Sequence, residues 1–146
     1  DPSYQQVCAG VTGHAEAVQV IFDPQAITFR QLLELFFAMH DPTTLNRQGP
    51  DVGTQYRSAV FYHSLEQKTI AEESIVELGK TGLFEGPIVT EITPLTIFYP
   101  AEEYHQQYYR RNREQYYCQL LISPKLSKLR KNFSAKLKAG TKVGPT

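Results

Sequence analysis

The chain has 146 residues, 41% of them hydrophobic, with 15 basic and 15 acidic side chains, two cysteines and no tryptophan. This composition indicates a soluble globular domain and excludes a disulfide-rich scaffold, because two cysteines cannot build a framework. No apolar stretch approaches the ~18 residues of a membrane-spanning helix, and residues 1–6 have neither the basic start nor the apolar core of a signal peptide. Since the first residue is Asp1 rather than Met, we expect the printed chain to begin inside a longer protein. Two cysteines without an evident pairing favour a reducing, cytoplasmic compartment.

The neutral total hides a charge asymmetry. Residues 1–109 hold five basic side chains against 14 acidic ones, whereas residues 110–146 hold ten basic side chains against Glu114 alone. A basic stretch can bind nucleic acid or a membrane surface. We favour the plainer interpretation that it neutralises the acidic body, and expect neither nucleic acid nor membrane as a partner.

The first half of the chain predicts a strand, a helix and a long loop. Alternating apolar positions predict a strand over residues 17–22, which ends at Asp23-Pro24. Thr28 with Gln31 forms a capping box for a helix that continues to His40-Asp41-Pro42. Residues 41–57 are polar and lack periodicity, and long loops of this kind in compact domains are usually functional.

The second half alternates predicted strands and helices. It predicts strands over 59–62, 88–92, 95–99 and 116–122 and helices from Ser64 to about Leu78, over 101–112, and from Ser123 onward. This interleaving favours a two-layer domain with helices packed on a sheet. We therefore expect a single domain over residues 1–139 and a flexible tail over residues 140–146.

Ordinary explanations account for several candidate sites. The side chains that could hold zinc do not show the short paired spacing of zinc motifs, so we expect no metal; they are His14, Glu16, His40, Asp41, His63 and His105. Cys8 with His14 resembles a cysteine-hydrolase pair only in composition, and a small buried cysteine is the simpler interpretation. The tyrosines at positions 99, 104, 108, 109, 116 and 117 fit the packing of helices on a sheet better than a nucleic-acid stacking platform.

Two polar stretches are less easily explained by structure alone. Residues 12–16 place Glu16 at the start of the predicted strand, where a partly desolvated carboxyl group has a raised pKa and can donate a proton. Residues 46–58 combine amides, a carboxylate, a guanidinium and a phenol in a loop that contains glycine. A site for a small polar ligand and an ordinary turn both remain open for this loop.

Six ordered motifs together resemble the peptide methionine sulfoxide reductase A family. The resemblance covers residues 1 to about 133, and the motifs are DPSYQQVC (1–8), TGHAE (12–16), HDP (40–42), NRQG (46–49), DVGTQYRS (51–58) and FYPAEEYHQQY (98–108). The resemblance implies an α+β, ferredoxin-like two-layer sandwich with helices packed on a mixed sheet. It also implies reduction of methionine-S-sulfoxide, in peptides and as free amino acid, by a cysteine thiolate that becomes a sulfenic acid.

The same resemblance assigns roles to particular residues. Glu16 would donate the proton, Tyr4 and Tyr56 would bind the sulfoxide oxygen, Asp51 would act through a water or hold the polar network, and Cys118 is a possible resolving cysteine. The family needs no metal and no bound cofactor, and its expected reductant is thioredoxin, or dithiothreitol in vitro.

One family motif has no counterpart in the printed sequence. The family's nucleophile lies in a Gly-Cys-Phe-Trp segment before the region that matches Tyr4, and this chain contains no tryptophan and begins after that segment. We therefore expect the family's N-terminal strand and helix to be absent, an exposed groove that favours self-association, and no activity of the chain on its own. A non-catalytic module that binds methionyl or methionine sulfoxide peptides is the alternative, and a nucleic-acid binder that uses residues 110–142 is a weaker third.

Overall fold

The computed structural model describes residues 2–10 and 12–133. The chain divides into two compact units, residues 1–102 and residues 103–146, and each is described by itself. The single domain over residues 1–139 stays a prediction, and the predicted tail over 140–146 lies outside the described residues. Within the described ranges, no helix is both long enough and apolar enough to cross a membrane.

The core of the first unit lies between two helices and a small parallel sheet. Helix α2 spans Phe29–Met39, strand β3 spans Ala59–Tyr62, helix α3 spans Leu65–Thr81, and strand β4 spans Glu91–Pro94 and pairs with β3 in parallel. The buried apolar cluster takes side chains from both helices and from β3, and consists of Leu33, Phe37, Val60 and Ala71. Removing these side chains from water is the main favourable contribution to the stability of this layer.

The capping signals place the helix ends as expected. The Thr28 hydroxyl oxygen accepts from the Gln31 N–H at 3.1 Å, and Gln31 Oε1 accepts from the Thr28 N–H at 3.0 Å. Helix α3 begins after Ser64, continues past Gly79 to Thr81, and ends at Gly82 with φ of 70°. A left-handed residue of this kind commonly ends a helix, and glycine adopts the conformation without strain.

Three predicted strands are wrong, those over 17–22, 95–99 and 116–122, and the strand predicted over 88–92 is shifted to β4, Glu91–Pro94. Residues 14–22 lie in no strand, and Val18 and Ile21 are 87% and 95% exposed. Alternation predicts a strand only where a neighbour accepts its backbone hydrogen bonds, and the structure describes no such ladder here. Residues 116–122 are helical, with a π-helical turn over Cys118–Ile122 that leads into helix α5, Ser123–Phe133. A short apolar run does not distinguish strand from helix.

The remaining elements are short. Helix α1 spans Tyr4–Cys8, β1 spans Arg47–Gln48, and β2 spans Asp51–Val52 and pairs with β1 in an antiparallel hairpin. In the second unit, the helix predicted over 101–112 is a 3₁₀ turn, Glu103–His105, followed by helix α4, Tyr108–Arg111. Helices with small sheets make the chain an α+β protein, while the ferredoxin-like arrangement stays a prediction.

The described part of the second unit is held by polar and aromatic contacts among its own residues. The hydroxyl groups of Tyr109 and Ser123 share a hydrogen bond of 2.9 Å, and the Arg113 guanidinium lies 5.6 Å from the centre of the Tyr109 ring. The Tyr108 hydroxyl donates to Gln115 Oε1 at 2.7 Å. Two of the clustered tyrosines therefore have structural partners.

Candidate active site

Helix α1 presents a phenol and a thiol on one face. It is capped by Ser3, whose hydroxyl oxygen accepts from the Gln6 N–H, while Gln6 Oε1 accepts from the Ser3 N–H. Residues four positions apart on a helix lie on the same face, so Tyr4 and Cys8 are neighbours. Cys8 is a free, half-buried cysteine.

Two distant side chains hold the ends of α1. The Tyr4 N–H donates to Glu102 Oε1 at 2.8 Å across 98 positions of sequence. The Cys8 carbonyl oxygen accepts from Gln55 Nε2 at 2.9 Å across 47 positions. Since α1 contains no buried residue, these polar contacts rather than apolar packing fix its position.

The loop that was predicted to be functional carries two of the candidate residues. Asp51 begins β2, and Tyr56 ends a 3₁₀ turn, Thr54–Tyr56, that follows the hairpin. Between them, Gly53 has φ of 144°, a backbone conformation that L side chains rarely adopt, and its N–H donates to the Asn46 carbonyl at 2.9 Å. The hairpin and this glycine bring the half-buried Asp51 and Tyr56 to the same end of the loop.

Glu16 is fixed to the same loop through its backbone. Its N–H donates to the Gln55 carbonyl oxygen at 2.8 Å. Arg57 adds a second connection, since its guanidinium donates to the carbonyl oxygens of Gly13 at 3.3 Å and Thr54 at 2.9 Å. The Glu16 side chain is exposed and lies outside any strand, so the expected partial burial at a strand start is wrong, although the segment is held beside Tyr56.

Electrostatics show that these side chains converge. A hydrogen bond with the Cys8 thiol is the largest cause that raises the pKa of Tyr4, followed by burial and by charges at Cys8, Glu16 and Tyr56. Burial is the largest cause that raises the pKa of Tyr56, followed by charges at Glu16, Cys8 and Asp51. Tyr4, Cys8, Glu16, Asp51 and Tyr56 thus form one cluster, which we call the phenol–thiol cluster.

This cluster suits a ligand with an exposed, electron-rich oxygen. Both phenols are protonated at neutral pH, as tyrosine ordinarily is, and their pKa values are raised further, so each can donate an O–H hydrogen bond. A carboxyl group beside them can hold or transfer a proton. The described residues contain no group of three or more His, Cys, Asp and Glu side chains that could hold a metal ion.

Sequence reasoning overlooked Cys8 and Gln55. We interpreted Cys8 as a small buried cysteine, but it is half-buried and contacts the phenols; its helical spacing from Tyr4 was the signal that could have revealed this. Gln55 connects α1 to the loop, and no local pattern predicts such a contact. Cys118 lies in the second unit, and its role as a resolving cysteine stays a prediction.

Comparison with known proteins identifies the family. The family model described as peptide methionine sulfoxide reductase matches residues 1–137. The chain belongs to the peptide methionine sulfoxide reductase A family. Peptide methionine sulfoxide reductase MsrA of Trichodesmium erythraeum is 57% identical over 139 residues, which cover 95% of this chain and 78% of the relative. The protein of the same name from Deinococcus radiodurans is also 57% identical, over 94% of this chain and 67% of the relative.

Solved structures of the reductase A family share the fold of this chain. The reduced form of Mxr1 from Saccharomyces cerevisiae is 48% identical with a TM-score of 0.68, over 80% of this chain and 63% of that one. Methionine sulfoxide reductase A of Corynebacterium diphtheriae is 39% identical with a TM-score of 0.67, over 79% of this chain and 59% of that one. The chain thus spans about three-fifths of the length of these two solved proteins.

Proposed function

We propose that the phenol–thiol cluster is the oxygen-binding half of a site that reduces methionine-S-sulfoxide, in peptides and as free methionine. The observation that carries this proposal is the convergence of Tyr4, Tyr56 and Glu16, with Asp51 beside Tyr56. These are the residues that the family resemblance assigns to the sulfoxide oxygen. The reaction would repair proteins after oxidation.

The proposed chemistry explains why such a cluster is needed. A cysteine thiolate attacks the sulfoxide sulfur, and oxygen passes to the cysteine as one proton is taken up. The products are a sulfenic acid and the methionine thioether. O–H donors stabilise the negative charge that develops on the sulfoxide oxygen as the thiolate attacks the sulfur, so two neutral phenols lower the barrier to the step in which Glu16 gives its proton.

Completing the cycle requires a reductant. A dithiol, thioredoxin in the cell or dithiothreitol in vitro, supplies two electrons and two protons, is oxidised to a disulfide, and returns the sulfenic acid to a thiol with release of water. Cys118 is the proposed resolving thiol. A cytoplasmic location and a ferredoxin-like arrangement of the whole family domain are part of the same proposal.

The source of the attacking thiolate distinguishes two versions of this function. The family's nucleophile belongs to a Gly-Cys-Phe-Trp segment that the printed sequence does not contain. Cys8 already lies against both phenols, which favours testing it directly. The alternative function, a module that binds methionyl or methionine sulfoxide peptides without turnover, uses the same donors and needs no thiolate.

Turnover of methionine sulfoxide peptides tests the proposal. We would assay the S and R epimers separately with dithiothreitol, using the 146-residue chain and an extended chain that carries the family's Gly-Cys-Phe-Trp segment before Asp1. The extended chain should reduce the S epimer selectively. The matched control is the same extension with serine in place of its cysteine.

The two chains together decide between the alternatives. Turnover by the extended chain but not by its serine control would assign the nucleophile to the added segment. Turnover by the 146-residue chain, lost on Cys8→Ser but not on Cys118→Ser, would assign it to Cys8. Peptide binding without turnover by either chain would overturn the reductase proposal and support the binding module.

A further inference from the structure

Helix α1 carries two members of the phenol–thiol cluster, yet its only apolar side chain besides Tyr4 and Cys8, Val7, is no more than half-buried. None of its five residues is buried, and an isolated helix of this length is unstable in water. The positions of Tyr4 and Cys8 therefore depend on the side chains that bind the helix from outside. Glu102 holds the N-terminal end and Gln55 holds the C-terminal end.

Gln55 connects three parts of the site. Its side-chain Nε2 donates to the Cys8 carbonyl at 2.9 Å, and its backbone carbonyl accepts from the Glu16 N–H at 2.8 Å. It immediately precedes Tyr56 in the 3₁₀ turn. A displacement of this one residue would therefore move α1, the Glu16 segment and Tyr56 relative to one another.

The surroundings of the Gln55 amide show that it is closely confined. The residue is only 4% exposed, and a Cβ atom added at Gly53 would lie 2.2 Å from its Oε1. A Cβ atom added at Gly10 would lie 3.4 Å from the same oxygen. Two glycines thus leave the space that the amide fills between the loop and the end of α1.

The amide is used as a donor only. Among the described residues, Gln55 Oε1 is buried and has no hydrogen-bond partner, which is unfavourable for a buried polar atom. A hydrocarbon side chain of the same length would avoid that cost but would leave the Cys8 carbonyl without the Nε2 donor. What glutamine adds at this position is therefore the bond to α1.

We propose that Gln55 is a positioning residue, which fixes α1 so that the Tyr4 hydroxyl and the Cys8 thiol face Glu16 and Tyr56. This inference rests on the proposed function for its catalytic consequence, but its structural part can be measured without turnover. Gln55 itself touches neither substrate nor reacting atoms in this role. Its effect passes through Tyr4 and Cys8.

Two substitutions test the donor while keeping the size of the side chain. Gln55→Met removes the side-chain donor and keeps the backbone bond to the Glu16 N–H. Gln55→Glu keeps the shape and removes the N–H donor, but adds a buried charge. The matched control is Gln67→Glu, since Gln67 Oε1 accepts from the His63 N–H at 2.8 Å and a carboxylate accepts equally well. Gln55→Leu, which is also uncharged, replaces Gln55→Met if that variant fails to fold.

The first readout is amide hydrogen exchange of residues 2–10 in the 146-residue chain, with the α2 peptide as internal reference. Both Gln55 variants should exchange α1 amides several-fold faster than the parent chain, while Gln67→Glu should match the parent. Unchanged exchange of α1 in the Gln55 variants would overturn the proposal, whatever the activity.

The second readout is steady-state kinetics of the extended chain with the S-sulfoxide peptide. Misplaced catalytic groups should lower kcat by about 10- to 100-fold with a smaller change in KM. In a Tyr4→Phe background, Gln55→Met should cause little further loss, because both changes remove the same contribution. Fully additive losses of kcat in the double variant would overturn the claim that Gln55 acts by positioning Tyr4.

The two readouts separate this inference from the proposed function. If the extended chain reduces neither epimer, the reductase proposal fails, and the exchange data still decide whether Gln55 holds α1. If turnover is present and the Gln55 variants match Gln67→Glu in kcat, the positioning role is wrong.

Discussion

Two regions of the first unit are held together by different forces. The layer formed by α2, α3, β3 and β4 has a continuous apolar cluster that includes Leu33, Phe37, Val60 and Ala71. The phenol–thiol cluster has no such support, since α1 buries no residue and Glu16 is exposed. Hydrogen bonds donated by Gln55 and Arg57, and one that Glu102 accepts from the Tyr4 N–H, fix it instead. Stability and function are therefore expected to respond to different substitutions.

Phe37→Ala is the strongest test of this comparison. Phe37 is 2% exposed in the apolar cluster, and truncating a buried phenylalanine costs about 3–5 kcal/mol through lost burial and the cavity left behind. Urea denaturation should show a loss of this size. Val76→Ala, at a position on α3 that is 56% exposed, is the control and should change stability little. A similar loss in both variants would mean that the apolar cluster does not dominate stability.

Glu16→Gln should lower turnover without lowering stability, in contrast to Phe37→Ala, which should lower stability. The change keeps the shape of the side chain and removes the acid, so S-sulfoxide reduction by the extended chain should slow by about 100-fold or more. The urea midpoint should not move, because the backbone of residue 16, not its exposed side chain, bonds to Gln55. Asp23→Asn, away from the cluster, is the matched control. Unchanged turnover would show that Glu16 is not the proton donor.

Substitutions at Arg57 and Arg30 compare an arginine that joins an ion pair to the site loop with one that forms only surface ion pairs. Arg57 bonds to Glu91 Oε2 at 2.9 Å as well as to two backbone carbonyls of the site. Arg30 contacts Glu73 at 2.6 Å and Glu77 at 3.2 Å on the helix surface. Arg57→Met should lower the free energy of unfolding by about 1–2 kcal/mol, because it leaves the Gly13 carbonyl without this donor and removes one of the two donors to the Thr54 carbonyl.

Arg30→Met should cost about 0–1 kcal/mol, as exposed pairs usually do. Thermal or urea unfolding of the two variants measures the difference, and turnover of the extended chain should fall only for Arg57→Met. An equal loss of stability and equal turnover in Arg57→Met and Arg30→Met would indicate that Arg57 forms only an ordinary surface ion pair.

Local sequence signals explain why the apolar layer was predictable. The capping box at Thr28, the spacing of apolar residues in α2 and the apolar and aromatic run of β3 each act within a few neighbouring residues. They correctly predicted α2 and β3 and the start of α3. The segment over 17–22 has an equally regular pattern, but a strand depends on a partner that the pattern does not specify.

Local chemistry indicated Glu16 and the loop over residues 46–58, whereas the roles of Tyr4, Tyr56 and Asp51 came only from family motifs. Periodicity says nothing about a bond from Gln55 to Cys8 or from Glu102 to Tyr4, because these span 47 and 98 positions. The motifs named Tyr4, Glu16, Asp51 and Tyr56 without indicating how they meet. Side chains that only hold the others in place, such as Gln55, have no chemical signature of their own.

A polar relay joins the two regions at the end of α2. His40 Nδ1 lies 2.6 Å from the Phe36 carbonyl oxygen, which can only accept, so this nitrogen carries the proton. In the neutral ring, Nε2 then accepts from the Ser58 hydroxyl at 2.7 Å, and Ser58 shares a hydrogen bond of 2.8 Å with Thr90. The buried Ser58 follows directly after Arg57, so the site loop ends on a fixed point of the apolar layer.

Asp41→Asn has the smallest expected effect on stability. Unlike the effect of Phe37→Ala in the apolar cluster, it should depend on pH. The Thr43 hydroxyl and backbone N–H donate to Asp41 Oδ1 at 2.6 and 2.9 Å, and these bonds are the largest causes that lower the pKa of Asp41. A lowered folded pKa means that the carboxylate stabilises the fold above the unfolded pKa of about 4. That contribution is lost as the pH falls through the folded pKa. Because Asp41 is exposed, screening limits the effect to about 0.5 kcal/mol or less.

The measurement is the difference in free energy of unfolding between the parent chain and Asp41→Asn, at pH 7 and at pH 3. The difference should shrink at the lower pH as the parent loses its carboxylate. Phe37→Ala is the contrast, because removing a hydrocarbon ring alters no proton binding and its cost should be the same at both pH values. An Asp41→Asn difference that is constant with pH would mean that the turn at Thr43 does not depend on the charge of Asp41, and that the entry to the site loop is held by its amide bonds alone.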